Sequence, residues 1–121
     1  YGKVKREFMA RYYKASDFLI ISLIDKPIFS VTVPAKMQTY IAAKRPIIAI
    51  INGDTANIVR DNNLGLVSNP SDIFSITEVF KKSIDMPNLE KIKFVKNNEQ
   101  LLMKTFNKDS VINDITDILL K

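Results

Sequence analysis

The chain has 121 residues, of which 46% are hydrophobic and 26% are charged, and this composition fits one small globular domain. It contains no Cys and no His, which excludes disulfides, Cys nucleophiles, Ser-His-Asp triads and thiolate or imidazole metal sites. The net charge of +5 permits binding to phosphates, nucleic acid or an anionic membrane surface. The basic residues lie in small scattered clusters, however, so we expect no nucleic-acid partner.

The first third of the sequence predicts a helix, a strand and a loop. Val4, Phe8 and Tyr12 are spaced i, i+4, i+8, which predicts a helix with one apolar stripe. Asp17–Leu23 is a nearly continuous apolar run of strand length, which predicts a strand covered on both faces. The stretch Ile24–Val33 holds a proline and several hydroxyl residues and is predicted to be a loop.

The middle of the chain repeats the helix–strand alternation. Pro34 suits the first position of a helix, which we expect to run to about Lys44. Pro46–Ile51 then predicts a second buried strand, because it is short and almost wholly apolar. A turn follows this strand, and Asp54 or Thr55 is predicted to cap the short helix after it.

The last part of the chain predicts one more strand and three helices. Leu64–Ser68 is the third strand, and Asn69–Asp72 predicts a helix start, with Asn69 as the capping residue, the proline inside the helix and Asp72 in its first turn. From Asn88 onward the pattern predicts a long amphipathic helix, and Asp109 or Ser110 is predicted to cap the last one. The apolar positions of the long helix are Leu89, Ile92, Val95, Leu102 and Phe106.

Strands that alternate with helices favour right-handed crossovers and a parallel sheet. The predicted fold class is therefore α/β, a partial Rossmann-like domain with a short parallel sheet flanked by helices. Three strands are few for this architecture, and the chain begins at Tyr1 rather than at Met. We therefore expect a piece of a longer protein with an open apolar edge, through which it packs or forms a homodimer.

The loops at the carboxyl ends of the strands are where open parallel sheets bind ligands. The longest of these loops leads to the predicted helix N-terminus at Pro34, Ala35 and Lys36. Free N–H groups and the positive end of the helix dipole favour an anion there, and Lys36 adds a cation. These features predict a phosphate site, with a solvated surface Lys36 as the alternative. The scattered acidic residues form no pair that can be assigned to acid–base catalysis.

Three stretches carry a resemblance to a known family: YGKVKREFMARYYKASDFLIISL, VPAKMQTYIAAKRPIIAIINGD and NNLGLVSNPSD. Their order resembles the carboxyl-terminal half of GT-B glycosyltransferases of the retaining family 4 type, also called group 1. The resemblance extends over nearly the whole chain. It implies that residues 1–121 are the later part of the nucleotide-sugar-binding domain, without its first strands and without the acceptor-binding domain.

The resemblance also implies donor-binding residues, position by position. Those matching the turn beside the nucleotide base are Gly2, Lys3 and Val4. Those matching the loop and helix start that face the diphosphate and sugar are Thr32, Val33, Pro34, Ala35 and Lys36. No catalytic residue is assigned, because the family's diphosphate-binding Arg and Lys precede the part of the domain that this chain matches.

Two positions depart from the family pattern. Many members carry a pair of Glu residues, the second of which hydrogen-bonds the ribose, whereas this chain has Val31 and Thr39 there. The hydroxyl of Thr39 is a weaker ribose ligand than a carboxylate. This departure leaves a second hypothesis open, a non-catalytic α/β module that binds a nucleotide or a protein, and a third, a nucleotide-sugar epimerase of the same architecture.

The resemblance implies transfer of a sugar from a UDP-sugar or GDP-sugar donor to a lipid-linked or surface-polysaccharide acceptor, with no metal or other cofactor. We expect the parent protein to be cytoplasmic, at the inner face of the membrane and in peripheral contact with it, and this piece alone to be inactive. No apolar run approaches the roughly 20 residues that a membrane-spanning helix needs. The absence of Cys fits a reducing compartment.

Overall fold

The computed structural model describes residues 2–105 and 108–120. Within these residues the strands are β1 (Leu19–Ser22), β2 (Ile47–Ile50) and β3 (Gly65–Ser68). The helices are α1 (Met9–Ala15), α2 (Pro27–Ser30), α3 (Ala35–Ala42), α4 (Asp54–Asp61), α5 (Ile73–Ile84), α6 (Asn88–Thr105) and α7 (Lys108–Leu119). A 3₁₀ turn, Arg6–Phe8, precedes α1.

The three strands form one parallel sheet in the order β1-β2-β3. Leu19 pairs with Ile47, and Ile47 pairs with Gly65, so the strands start level with one another. Every residue of the central strand β2 is buried, as its apolar sequence predicts. The predicted fold class, α/β with a short parallel sheet flanked by helices, is confirmed.

Helices cover the two faces of the sheet unequally. On one face, α3 and α4 supply Ile41 and Val59, both fully buried, to a core that includes alternate residues of all three strands. On the other face, α5 and the first half of α6 cover Ile48 of β2, and Phe94 of α6 belongs to this second core. Burial of these aliphatic and aromatic side chains is the main contribution to stability, at roughly 1.5–3 kcal/mol for each fully buried one.

The prediction that β1 is covered on both faces is wrong. Leu19 and Ile21 are buried, whereas Ser22 is exposed and Ile20 keeps 45% of its surface accessible to solvent. The reason is that the second helical layer packs on β2 and β3 and stops short of β1. β1 is therefore an edge strand with one open face.

The prediction of a plain loop over Ile24–Val33 is also wrong. The loop contains the one-turn helix α2, which begins at Pro27, a position where the missing proline N–H costs nothing. Pro34 lies just outside the next helix as its N-cap instead of being its first residue. The difference is one residue, and it leaves Ala35 and Lys36 as the first two helical positions.

The start of α4 differs from the predicted Asp54 or Thr55 cap. Gly53 is the N-cap, with a φ of 82° that disfavours any other residue, and no side chain caps the helix. A Cβ atom at this position would lie 1.9 Å from the carbonyl oxygen of Ser30, so glycine is required. The predicted start of α5 lies three residues too early: Asp72, expected inside the first turn, is the N-cap, and its carboxylate accepts bonds from the N–H groups of Phe74 and Ser75.

The apolar stripe predicted on the first helix points outward. Phe8 and Tyr12 are 42% and 39% exposed, and Val4 lies before the helical turns and is only half-buried. The inward side chains are instead Met9 and Tyr13. The short 3₁₀ turn before α1 rotates the chain away from the register that the i, i+4 spacing assumes.

The predicted apolar face of α6 is wrong in its first half. Leu89 and Ile92 are exposed, and the buried positions are Phe94 and Asn98. Phe106, predicted on the same face, lies outside the described residues, as does the side chain of Ser110 at the start of α7. The long helix is continuous through Asn98, although a buried amide in a helix interior is unfavourable unless it is bonded.

α6 contacts the residues that lead into each of the three strands. These contacts are Lys91 Nζ with the Asp17 carboxylate before β1 (3.0 Å), Lys44 Nζ with the Glu99 carboxylate before β2 (2.5 Å) and Asn98 Nδ2 with the carbonyl oxygen of Leu64 before β3 (3.2 Å). The helix thus lies along the amino ends of the sheet and leaves the carboxyl ends open.

Candidate functional site

A cavity of about 240 Å³ lies along the free edge of β1, near its carboxyl end. One wall is the outer edge of the strand, residues 20–23, and the other is the first turn of α3, formed by Pro34, Ala35 and Lys36. Three of the sequence-predicted site residues therefore line one cavity. Because β1 is an edge strand, the cavity is open to solvent on one side.

The first turn of α3 offers hydrogen-bond donors to this cavity. Pro34 is extended (φ −62°, ψ 143°), and no side chain caps the helix. The early N–H groups of an uncapped helix are available to an anion, and the helix dipole favours negative charge at this end. Lys36 is exposed beside them and has no ion-pair partner among the described residues. The site can therefore receive a phosphate or carboxylate.

Two hydrogen bonds fix the loop before α3. The side-chain hydroxyl of Thr55, which is fully buried, donates to the carbonyl oxygen of Thr32 at 3.1 Å. The Thr32 hydroxyl in turn donates to the carbonyl oxygen of Ile28 in α2, at 2.7 Å. Val33 is 43% exposed and does not line the cavity. Thr32 thus fixes the loop that leads to the helix start, and the predicted contacts of Thr32 and Val33 with the donor stay predictions.

The remaining predicted residues lie elsewhere. Gly2 adopts a φ of 67°, and Lys3 is exposed, but neither they nor Val4 line the cavity beside β1. Thr39 faces a second, larger groove of about 700 Å³ between α1 and α3. Its hydroxyl lies 3.5 Å from the carbonyl oxygen of Ala35 in its own helix. Proximity of these residues to a nucleotide base or ribose stays a prediction.

Sequence reasoning missed a polar cluster at the carboxyl ends of the strands. Asp25 follows β1, Asn52 follows β2, and Asn69 and Ser71 follow β3. The Ser71 hydroxyl bonds the Asp25 carboxylate at 3.0 Å, and the Asn52 amide donates to the Asn69 side-chain oxygen at 3.4 Å. Each of these residues comes soon after a predicted strand, and this shared position is the feature of the sequence from which the cluster could have been predicted. The two bonds join the three loops that follow the strands and fix their positions relative to one another.

In the core beside α3, burial and the neighbouring Tyr13 raise the pKa of the Tyr40 hydroxyl. The two rings meet edge to face, with centroids 5.7 Å apart. Over the described ranges, no group of three or more acidic residues is placed to hold a metal ion. The described helices are also too short or too polar for any of them to cross a membrane.

Comparisons with family models, with curated proteins and with solved structures gave no match to this chain.

Proposed function

We propose that this chain is part of the donor-binding domain of a retaining GT-B glycosyltransferase that moves a sugar from a UDP-sugar or GDP-sugar to a lipid-linked or surface-polysaccharide acceptor. The observation that carries the proposal is the cavity beside β1, closed by the uncapped first turn of α3 and by Lys36. It runs along the free edge of β1 to the carboxyl end of that strand, and this class of fold binds nucleotides beyond the carboxyl ends of its strands. The sequence resemblance described above supports the same assignment.

The chemistry of this cavity suits a diphosphate. Sugar transfer from a nucleotide-sugar develops negative charge on the leaving diphosphate, so fixed N–H dipoles and cations stabilise the transition state. The N–H groups of Ala35 and Lys36 and the Lys36 ammonium are such groups. A charge-assisted contact of this kind contributes roughly 1.5–3 kcal/mol, which corresponds to about tenfold to a hundredfold in affinity. In this proposal the chain acts in the cytoplasm, at the inner face of the membrane.

An NMR titration of the ¹⁵N-labelled parent protein with UDP, GDP and inorganic pyrophosphate tests the proposal, because the isolated piece lacks the upstream diphosphate-binding cations and is expected to bind poorly. We expect the amide resonances of Ala35 and Lys36 to shift with each ligand, and Lys36→Ala to weaken binding about tenfold or more. Lys26→Ala is the matched control, because it removes the same charge from the adjacent loop but does not line the cavity. Unchanged amides with all three ligands, or equal affinities for Lys36→Ala and Lys26→Ala, would contradict the assignment.

A non-catalytic nucleotide- or protein-binding module is the second candidate. It is favoured by the two positions that lack the family's Glu residues: Val31 is 72% exposed, and Thr39 bonds within its own helix. A transferase consumes its donor, whereas a binding module leaves it intact. Mass spectrometry of a UDP-sugar or GDP-sugar incubated with the parent protein and a lipid-linked acceptor therefore separates the two.

A further inference from the structure

The first turn of α3 depends on the loop before it for its position. Met37, Tyr40 and Ile41 are buried and hold the rest of the helix against the core. Ala35 and Lys36 carry the N–H groups that the proposed function assigns to the diphosphate, and both residues are exposed, so burial does not hold them. The N–H groups of a first turn also lack partners within their own helix. The position of these two residues is therefore set by the loop, residues 24–33, that leads into the helix.

The start of α4 contacts this loop at two points. The backbone of Gly53 lies so close to that of Ser30 that a Cβ atom at Gly53 would be 1.9 Å from the Ser30 carbonyl oxygen. The buried hydroxyl of Thr55 donates to the carbonyl oxygen of Thr32 at 3.1 Å. α4 is itself fixed to the sheet, because Val59 is fully buried in the core. We call Gly53 and Thr55 the α4 clamp.

The hydrogen bond made by Thr55 differs from those of the other hydroxyl side chains. Seven other Ser and Thr hydroxyls in the described part of the chain donate to a backbone carbonyl, and each reaches only three or four residues back. Such local bonds are the usual outcome for Ser and Thr in and near helices. The hydroxyl of Thr55 instead bridges 23 residues to a separate segment. Its bond therefore joins the loop to α4.

We propose that the α4 clamp positions the first turn of α3 for its anionic ligand, with Thr55 as the main positioning residue, an inference that rests on the proposed diphosphate site. Neither Gly53 nor Thr55 lines the cavity beside β1, so the clamp acts through the loop and not by touching the ligand. N–H dipoles bind an anion best when they are already in place, and a displaced turn lowers the affinity in proportion to the molecules that have it. Loss of one neutral hydrogen bond can therefore weaken binding by up to about fivefold.

Calorimetric titration of the parent protein with UDP and with inorganic pyrophosphate tests the clamp. Thr55→Val keeps the shape of the side chain but cannot donate, and it should weaken binding of both ligands about fivefold. Thr55→Ser keeps the hydroxyl and should bind within about twofold of the unaltered protein. Ser83→Ala is the matched control, because it also removes a buried hydroxyl that donates to a backbone carbonyl, that of Phe80, but does so within α5. We expect the control to keep the affinity of the unaltered protein, even where urea unfolding shows an equal loss of stability.

Amide hydrogen exchange of the ligand-free parent protein is a second readout that does not depend on binding. The Met37 N–H donates to the carbonyl oxygen of Pro34 at 2.9 Å and so reports opening of the first turn. Its exchange should be about fivefold faster in Thr55→Val and unchanged in Ser83→Ala. No binding of either ligand by the unaltered protein would refute the proposed function, whereas equal affinities of the unaltered protein and Thr55→Val would overturn the clamp alone. Equal weakening by Ser83→Ala, no rescue by Thr55→Ser, or unchanged exchange at Met37 would also overturn it.

Discussion

Replacement of Asn98 tests how α6 stabilises the sheet, because its side-chain amide bonds the residue that leads into β3. It is fully buried, and its Nδ2 donates to the carbonyl oxygens of Phe94 at 2.8 Å and Leu64 at 3.2 Å. Its Oδ1 has no hydrogen-bond partner among the described residues. The residue therefore contributes two bonds and carries the cost of one unbonded acceptor, so truncation and apolar replacement should have different effects.

Asn98→Ala loses both bonds and leaves a cavity. At about 1 kcal/mol for each bond, plus a term for the lost packing, we expect the free energy of unfolding to fall by about 2–4 kcal/mol. Asn98→Leu fills the space and removes the unbonded oxygen. The Leu64 carbonyl keeps its bond from the N–H of Ile47, at 3.1 Å, so no buried acceptor is left unbonded there. The Leu variant should therefore lose about 1 kcal/mol or less.

Urea unfolding followed by circular dichroism measures these differences, provided that the slope of the transition is unchanged. The surface variant Asn57→Ala is the control, because Asn57 is exposed and accepts a single bond from Arg60 of its own helix. Asn98→Ala within about 0.5 kcal/mol of the unaltered chain would refute the view that this amide secures the sheet. If Asn98→Leu lowers the free energy of unfolding as much as Asn98→Ala does, the argument that the unbonded oxygen is costly would be refuted.

Two further predictions concern the core. Gly65→Ala should unfold the chain or lower its stability severely, because the new Cβ would lie 1.8 Å from the backbone oxygen of Ile47. Urea unfolding followed by circular dichroism measures the loss, and a near-normal unfolding transition would contradict the prediction. Burial raises the pKa of the Tyr40 hydroxyl, so the folded state holds this proton more tightly than the unfolded state does. The resulting contribution to the free energy of unfolding is fully present below the unfolded pKa of about 10 and is lost as pH rises through the folded pKa. Tyr40→Phe should therefore flatten the alkaline fall in stability, and an unchanged fall would contradict this cause.

The sheet was predictable from sequence because its strands are short apolar runs separated by turn residues. Pro46–Ile51 contains no polar residue, and the strand it predicts is buried throughout. Which face of β1 is covered was not predictable, because Ile20 is apolar in sequence yet lies beyond the reach of α5 and α6. Local pattern fixes a strand's existence, whereas its burial depends on where distant helices pack.

The candidate site was predictable in part for the same reason. Pro34–Lys36 is a local helix-start pattern, and the structure places it against the edge of β1. The bond between Thr55 and Thr32, and that between Ser71 and Asp25, join residues 23 and 46 positions apart, and nothing local marks either pair. Asn98 was missed because an amide in an amphipathic helix is normally placed on the polar face.

The position of α6 has a consequence for the order in which the chain folds. The pair of Lys91 and Asp17 closes a separation of 74 residues, and that of Lys44 and Glu99 closes 55. Distant contacts form late, because their loop-closure entropy must be overcome first, and synthesis makes the strands before α6. These two ion pairs at the amino end of the sheet therefore form late, whereas the bond between Asn52 and Asn69, which closes only 17 residues, can order two of the loops at the carboxyl ends before α6 is synthesised.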